Sequence, residues 1–90
     1  MMMSSLLPFD KPASISLDLR KTKCPLNFVK AKLALEKLVI GEVLEVLLLT
    51  TGDSAFNVPN SFRQEGQAVA LLPPSPDDNT LQVLHIERVV

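Results

Sequence analysis

The sequence contains no tryptophan and no tyrosine, one cysteine, one histidine and three glycines in 90 residues. Each shortage excludes a class of function. A single thiol allows no disulfide within the chain. One Cys and one His make an intramolecular structural zinc site implausible, since such sites use four ligands of that type. Gly41, Gly52 and Gly66 stand too far apart to form a Gly-rich phosphate loop. Four phenylalanines are the whole aromatic complement, a poor supply of stacking platforms. With a net charge of −1 there is no bulk attraction to polyanions either, so direct nucleic-acid binding is not expected. No run approaches the roughly 20 apolar residues of a membrane span. Met1 to Asp10 lack the basic start and apolar core of a signal peptide, because Leu6-Leu7 is cut short by Pro8. A lone thiol fits the reducing cytoplasm, which is the expected location, with no membrane partner.

What remains is enough for one small domain with a thin core. The apolar fraction of 47% fits a globular chain. Met1 to Pro12 shows no period, so residues 1–13 read as a flexible tail and 14–90 as a single domain. Ser14 to Leu19 alternates polar and apolar, as a half-buried strand does, with Ile15, Leu17 and Leu19 inward. Pro25 to Val39 is the clearest helix, opened by proline and stopped by Gly41. At 100° per residue Phe28, Ala31, Ala34, Leu35 and Leu38 share one face, the one expected against a sheet. Leu26, Val29 and Leu33 form a second, narrower stripe, bordered by Lys30 and Lys37 on one side and Lys32 and Glu36 on the other. That stripe is expected either to touch a second helix or lie partly exposed, or to dock a partner.

Glu42 to Leu49 is apolar in both phases, as a central strand is. Asn57 is expected to cap a short helix, with Pro59 in its first turn and Phe62 buried, ending at Gly66. Gln67 to Leu72 and Leu81 to Val90 complete the strands, around a turn rich in breakers at Pro73 to Asn79. The last strand is apolar in both phases, so its period does not orient it. The order is β-α-β-α-β-β, an α/β (α+β) chain with both helices on one face of one sheet.

The segment that carries chemistry is Arg20-Lys21-Thr22-Lys23-Cys24-Pro25-Leu26-Asn27. Cys24 falls directly before a helix-starting proline, where unpaired N–H groups and the helix dipole favour an anion. A thiolate is such an anion. A thiol of pKa near 8.5 is only ~3% ionised at pH 7, against roughly half at a site with pKa near 7. From Arg20 to Lys37 the chain carries six basic residues and one acid, Glu36, which adds to the same effect. The alternative is that Cys24 is a small inert filler and the lysines a solvated face. As the N-cap, Cys24 would put Asn27 at N3, whose N–H could support the thiolate; alternatively Asn27 is merely a tolerated first-turn residue. His85, within a strand, reads as a surface or packing residue, and no motif couples it to Cys24.

Several of these residues also carry a resemblance. Leu17-Asp18-Leu19-Arg20, then Cys24-Pro25, a lysine-bearing helix, Gly41-Glu42-Val43-Leu44, Val58-Pro59 and Glu65-Gly66 together resemble the TusA-like (SirA-like) sulfur carriers over residues 15–90. The resemblance implies a two-layer sandwich, with two helices on a four-stranded mixed sheet. It implies a cysteine, here Cys24 followed by Pro25, that accepts persulfide sulfur from a donor protein such as a cysteine desulfurase and hands it to an acceptor protein. In the best-known branch that sulfur flows towards tRNA thiolation. No cofactor or metal is implied. Three positions depart from the family's usual pattern. Asn27 stands for the second proline of Cys-Pro-x-Pro, Thr50-Thr51 for an acidic pair, and Gln67 for a histidine.

The expected site is therefore Cys24, supported by Pro25, Asn27 and Lys23, beside a docking surface of Leu26, Val29, Leu33 and Lys30. Two other readings compete. The chain could be a non-catalytic protein-interaction or regulatory module in which Cys24 is dispensable. It could also be a redox-responsive protein forming intermolecular disulfides.

Overall fold

A computed structural model describes residues 12–23, 26–51, 53–72 and 77–90. Residues 1–11 of the expected tail, and the Cys24-Pro25 dipeptide, lie outside the described residues. The elements run β1 (Ile15–Asp18), α1 (Leu26–Glu36), β2 (Val43–Leu49), α2 (Ser54–Gln64), β3 (Ala68–Leu71) and β4 (Leu81–Glu87). The sheet order is β1-β2-β4-β3, with β1 parallel to β2 and the other pairs antiparallel. The two-sided apolar strand Val43–Leu49 is thus internal, as its composition predicts.

Side-chain alternation sorts the sheet into two faces. Leu44, Val46 and Leu48 of β2 and Leu84 and Ile86 of β4 join Ala31, Ala34, Leu35 and Leu38 of the first helix and Val58 and Phe62 of the second in one core. Ile15 and Leu17 pack on it from β1, and Val69 from β3. The two helices meet through Phe28 and Phe62, whose rings are edge to face with centroids 4.9 Å apart. Phase alone did not orient β4; the core is entered by Leu84 and Ile86, which leaves His85 on the opposite face.

On that face a polar rank crosses three strands in register, Ser16 beside Glu45 and Glu45 beside His85. Ser16 Oγ donates to Glu45 Oε1 at 2.8 Å, and His85 Nε2 lies 3.1 Å from Glu45 Oε2. Burial pushes the Glu45 carboxyl up, but hydrogen bonds from His85 and Ser16 and the imidazole's charge outweigh it, so its pKa lies below the ordinary value. His85 is a packing residue, only 3% exposed, and its bonded nitrogen is committed to Glu45 on the face away from α1.

The second helix corrects the sequence expectation at its start. It opens at Ser54, three residues before Asn57, with Asp53 at the N-cap position. The Asp53 carbonyl accepts from Phe56 N–H at 3.1 Å and Asn57 N–H at 2.8 Å. Pro59 therefore lies inside the helix and forfeits one backbone bond. Burial of Val58, Pro59 and Phe62 along one face offsets that loss. The far end is as expected. Gly66 takes φ +92°, and its N–H reaches Arg63 O while Gln67 N–H reaches Phe62 O, a paired closure that needs a left-handed residue. The first helix ends at Glu36 rather than Val39. Arg88 closes that end, its Nη1 donating to Glu36 O, the last residue of the helix, and to Leu38 O just beyond it.

Two outcomes follow from this packing. Phe62→Ala should lose about 3–5 kcal/mol of stability, read as a lower urea midpoint, because the buried ring holds both helices to the sheet. Asp18, gripped by Arg20 Nε at 2.9 Å, Arg20 Nη2 at 2.7 Å and the Arg20 N–H at 3.2 Å, has its pKa lowered from 3.8 to about 2. The stabilisation from this pair is present above pH 3.8 and is lost as pH falls through about 2. A carboxyl NMR titration of Asp18 should find that low midpoint, and Arg20→Gln should return it towards 3.8.

Candidate functional site

Parallel pairing of β1 with β2 puts their carboxyl ends side by side, so the loops leading into both helices leave from the same end of the sheet. Ligands of open α/β sheets gather at such ends. The turn before β4 belongs to this end too, since Leu81 opens β4 opposite Leu49, which closes β2. Thr50 ties the loops together, its N–H donating to Thr80 O at 2.8 Å and its Oγ1 to Asn79 O at 2.9 Å. Asp78 accepts from the N–H and hydroxyl of Thr80, which lowers its carboxyl pKa, and its charge is felt at Arg20. A cavity of about 470 Å³ opens here, lined by Asp18, Arg20, Lys21 and Leu49.

The chain leaves β1 through Leu19, buried, and a turn in which Thr22 N–H donates to Leu19 O at 3.1 Å. Lys23 is exposed, and its carbonyl accepts from the Asn27 N–H at 3.1 Å. The Asn27 N–H is thus engaged by a backbone carbonyl. Asn27 itself is fully buried. Its Nδ2 donates to Ser54 Oγ at 2.7 Å, and its Oδ1 accepts from Phe28 N–H at 2.7 Å. A polar side chain that deep must find partners, and Asn27 finds one of them in the first residue of the other helix.

The outer face of α1 carries Leu26, Val29 and Leu33, which are 52%, 44% and 55% exposed. They do not rest on α2; the second stripe faces out. The side chains of Lys30 and Lys37 lie exposed beside it and, like that of Lys23, make no ion pair with any described residue. Lys32 is different, paired with Glu65 at 3.0 Å across to the end of α2. The structure thus puts Leu26, Val29, Lys30 and Leu33 on the exposed side of the first helix, and turns Asn27 inward towards the second. Cys24 and Pro25, between Lys23 and Leu26 in sequence, are outside the described residues.

Sequence reasoning missed two neighbours. Ser54, the first residue of α2, lies before the start expected from Asn57, although Asp53 ahead of it is a residue type that starts helices. Phe56, in the first turn of α2, is 70% exposed, which no periodicity announces. Among the described residues no cluster of His, Cys, Asp and Glu could hold a metal ion, and no helix is long and apolar enough to cross a membrane.

Residues 15–85 match the family model described as "Sulfurtransferase TusA". A protein of Archaeoglobus fulgidus described as "Putative sulfur carrier protein" is 40% identical over 53 residues, 59% of this chain and 59% of that protein. The match thus spans about three-fifths of that relative's length. The crystal structure of a SirA-like protein from Desulfitobacterium hafniense superposes with a TM-score of 0.69 at 26% identity, covering 84% of this chain and 99% of that one. The fold expected from the resemblance, two helices on a four-stranded mixed sheet, is the fold observed. From the first strand into the last the residues fit one family, and this chain belongs to it: the TusA family.

Proposed function

We propose that this protein is a sulfur carrier that takes up sulfur on Cys24 as a persulfide and relays it to a partner protein. The observation that carries this reading is the family match over residues 15–85, which spans the chain's only thiol. The thiolate of Cys24 attacks the terminal sulfur of a donor persulfide. The donor's S–S bond breaks, the donor leaves as a thiolate, and the sulfur with its proton remains on Cys24. The step balances without an added oxidant or reductant, so no cofactor is called for. An acceptor thiolate then repeats the attack on the Cys24 persulfide. The donor is a cysteine desulfurase or a protein of that kind; the acceptor is a second protein.

Pro25 pre-sets the backbone for the helix that follows the thiol. Lys23 and Lys30, exposed and in no ion pair with any described residue, supply positive potential for a thiolate or persulfide and for an acidic partner. Leu26, Val29 and Leu33 provide the apolar centre of the docking surface, since three half-exposed aliphatic residues along one helix are suited to a partner's groove. The same stripe would serve a regulatory module, but that reading does not need the thiol.

The test is direct. Reduced protein incubated with a cysteine desulfurase and cysteine should gain one sulfur atom by intact mass, and the Cys24→Ser variant, still folded by circular dichroism, should gain none. Loading of Cys24→Ser, or loading of neither protein, would remove Cys24 as the carrier. In the same assay, reversing Lys23 and Lys30 to Glu should slow loading roughly tenfold at low salt, with the gap closing as salt rises. A salt-independent difference would count against electrostatic docking.

A further inference from the structure

We infer that the outer edge of β3, with the flank of α2 beside it, is an interface for a second copy of this chain, joined strand to strand. The ladder settles which backbone groups that edge presents. Leu72 N–H donates to Val83 O at 3.0 Å, so these two residues face each other as a bonded pair. Bonded and unbonded pairs alternate along an antiparallel ladder. The N–H and C=O of Val69 and Leu71 therefore point away from β4, and no strand among the described residues lies beyond them. Open edges are ordinarily guarded by charge, proline or a bulge. β1, the other outer strand, ends in the ion pair of Asp18 with Arg20. Ala68–Leu71 carries no charge, and its Leu71 is 48% exposed.

The helix over β3 has an open flank on the same side. Ser54 at the start of α2 reaches Asn27, and Glu65 just past its end reaches Lys32, so these residues mark the side turned to α1. At 100° per residue from Ser54, Phe56 falls at about 200° and Arg63 at about 180°, on the side turned away from α1. β3 runs parallel to β2, since both are antiparallel to β4, so Leu71 lies at the end from which α2 starts. Leu71 pairs with the core residue Leu84, which puts its side chain on the helix face. Phe56, 70% exposed, and Leu71 thus share one flank.

The occupant that fits this edge is a second copy. Two such strands pair antiparallel about a two-fold axis through Ala70, with Val69 opposite the partner subunit's Leu71, and each outward N–H meets a carbonyl across the axis. Because the axis is normal to the sheet, both helix layers stay on one side and α2 runs antiparallel to its mate. Phe56 then faces the partner subunit's Arg63, an aromatic ring against a guanidinium. An isologous contact brings identical residues together, so a charged edge would repel itself; this one is uncharged. Four residues of edge fall short of the roughly 800 Å² per partner of a standard interface. The α2 flanks add to that area, and the dimer is concentration-dependent. The outward stripe of α1 takes no part in it.

The test is sedimentation equilibrium of the whole chain over rising concentration, in reductant so that its single thiol forms no disulfide. The parent's mass should climb from that of a monomer towards twice that value. Leu71→Lys, which brings two ammonium groups close to the axis, should weaken the dimer roughly tenfold or more. Phe56→Ser should weaken it severalfold. Val69→Pro removes an N–H that only the dimer uses and should weaken it as well. Leu71 and Phe56 are exposed, so their variants keep the native circular dichroism even if Val69→Pro does not. Leu33→Lys, on the outward stripe of α1, should leave the association unchanged. A parent that stays monomeric at every concentration would overturn the inference. So would a dimer that neither Leu71→Lys nor Phe56→Ser weakens, or one that Leu33→Lys breaks.

Discussion

Parallel pairing of β1 with β2 is the constraint on which the rest of the molecule depends. Two parallel neighbours need a crossover, and α1 supplies it. The crossover starts where β1 ends and finishes where β2 begins. The loop from β2 into α2 therefore leaves from the same end as the loop from β1 into α1. Both helix N-termini come to one end of the sheet. β4, antiparallel to β2, delivers its preceding turn to that edge too, and Thr50 stitches it down through Thr80 and Asn79. The chain's one thiol is encoded in the first of these loops.

Three departures from the family's usual pattern each have an internal partner here. Asn27 bonds to Ser54, Thr50 to the turn before β4, and Gln67 to the end of the chain, its Oε1 accepting from Val89 N–H at 2.7 Å. Each substitution joins two parts of the fold that are far apart in sequence. They read as a different set of struts around the same scaffold. Arg88 belongs with them, reaching from beyond β4 to the last carbonyls of α1.

Local periodicity carried much of the fold. The inward face of α1 and the internal position of β2 could both be read from apolar spacing, since burial on one or two faces leaves that mark directly. β4 could not be oriented, because a strand with Leu84 and Ile86 in the core and Leu81 and Val83 on the other face has no single phase. The start of α2 was misplaced because Asn57 and Pro59 imitate a cap and a first-turn proline, while the helix absorbs the proline internally to bury Val58 and Phe62. The stripe of Leu26, Val29 and Leu33 was legible as a stripe, and its exposure was one of the alternatives that the helical spacing left open. The bond from Asn27 to Ser54 was not legible, because its two ends are brought together only by tertiary packing of two helices.

The central claim is that the single thiol is a working anion held at a helix start rather than a filler. The most direct measurement is the pH dependence of iodoacetamide alkylation of Cys24 in the native parent protein, set against the same protein unfolded in urea. The account predicts a native midpoint below the ordinary thiol value of roughly 8.5, returning to that value on unfolding. A native midpoint at or above the unfolded one would contradict it.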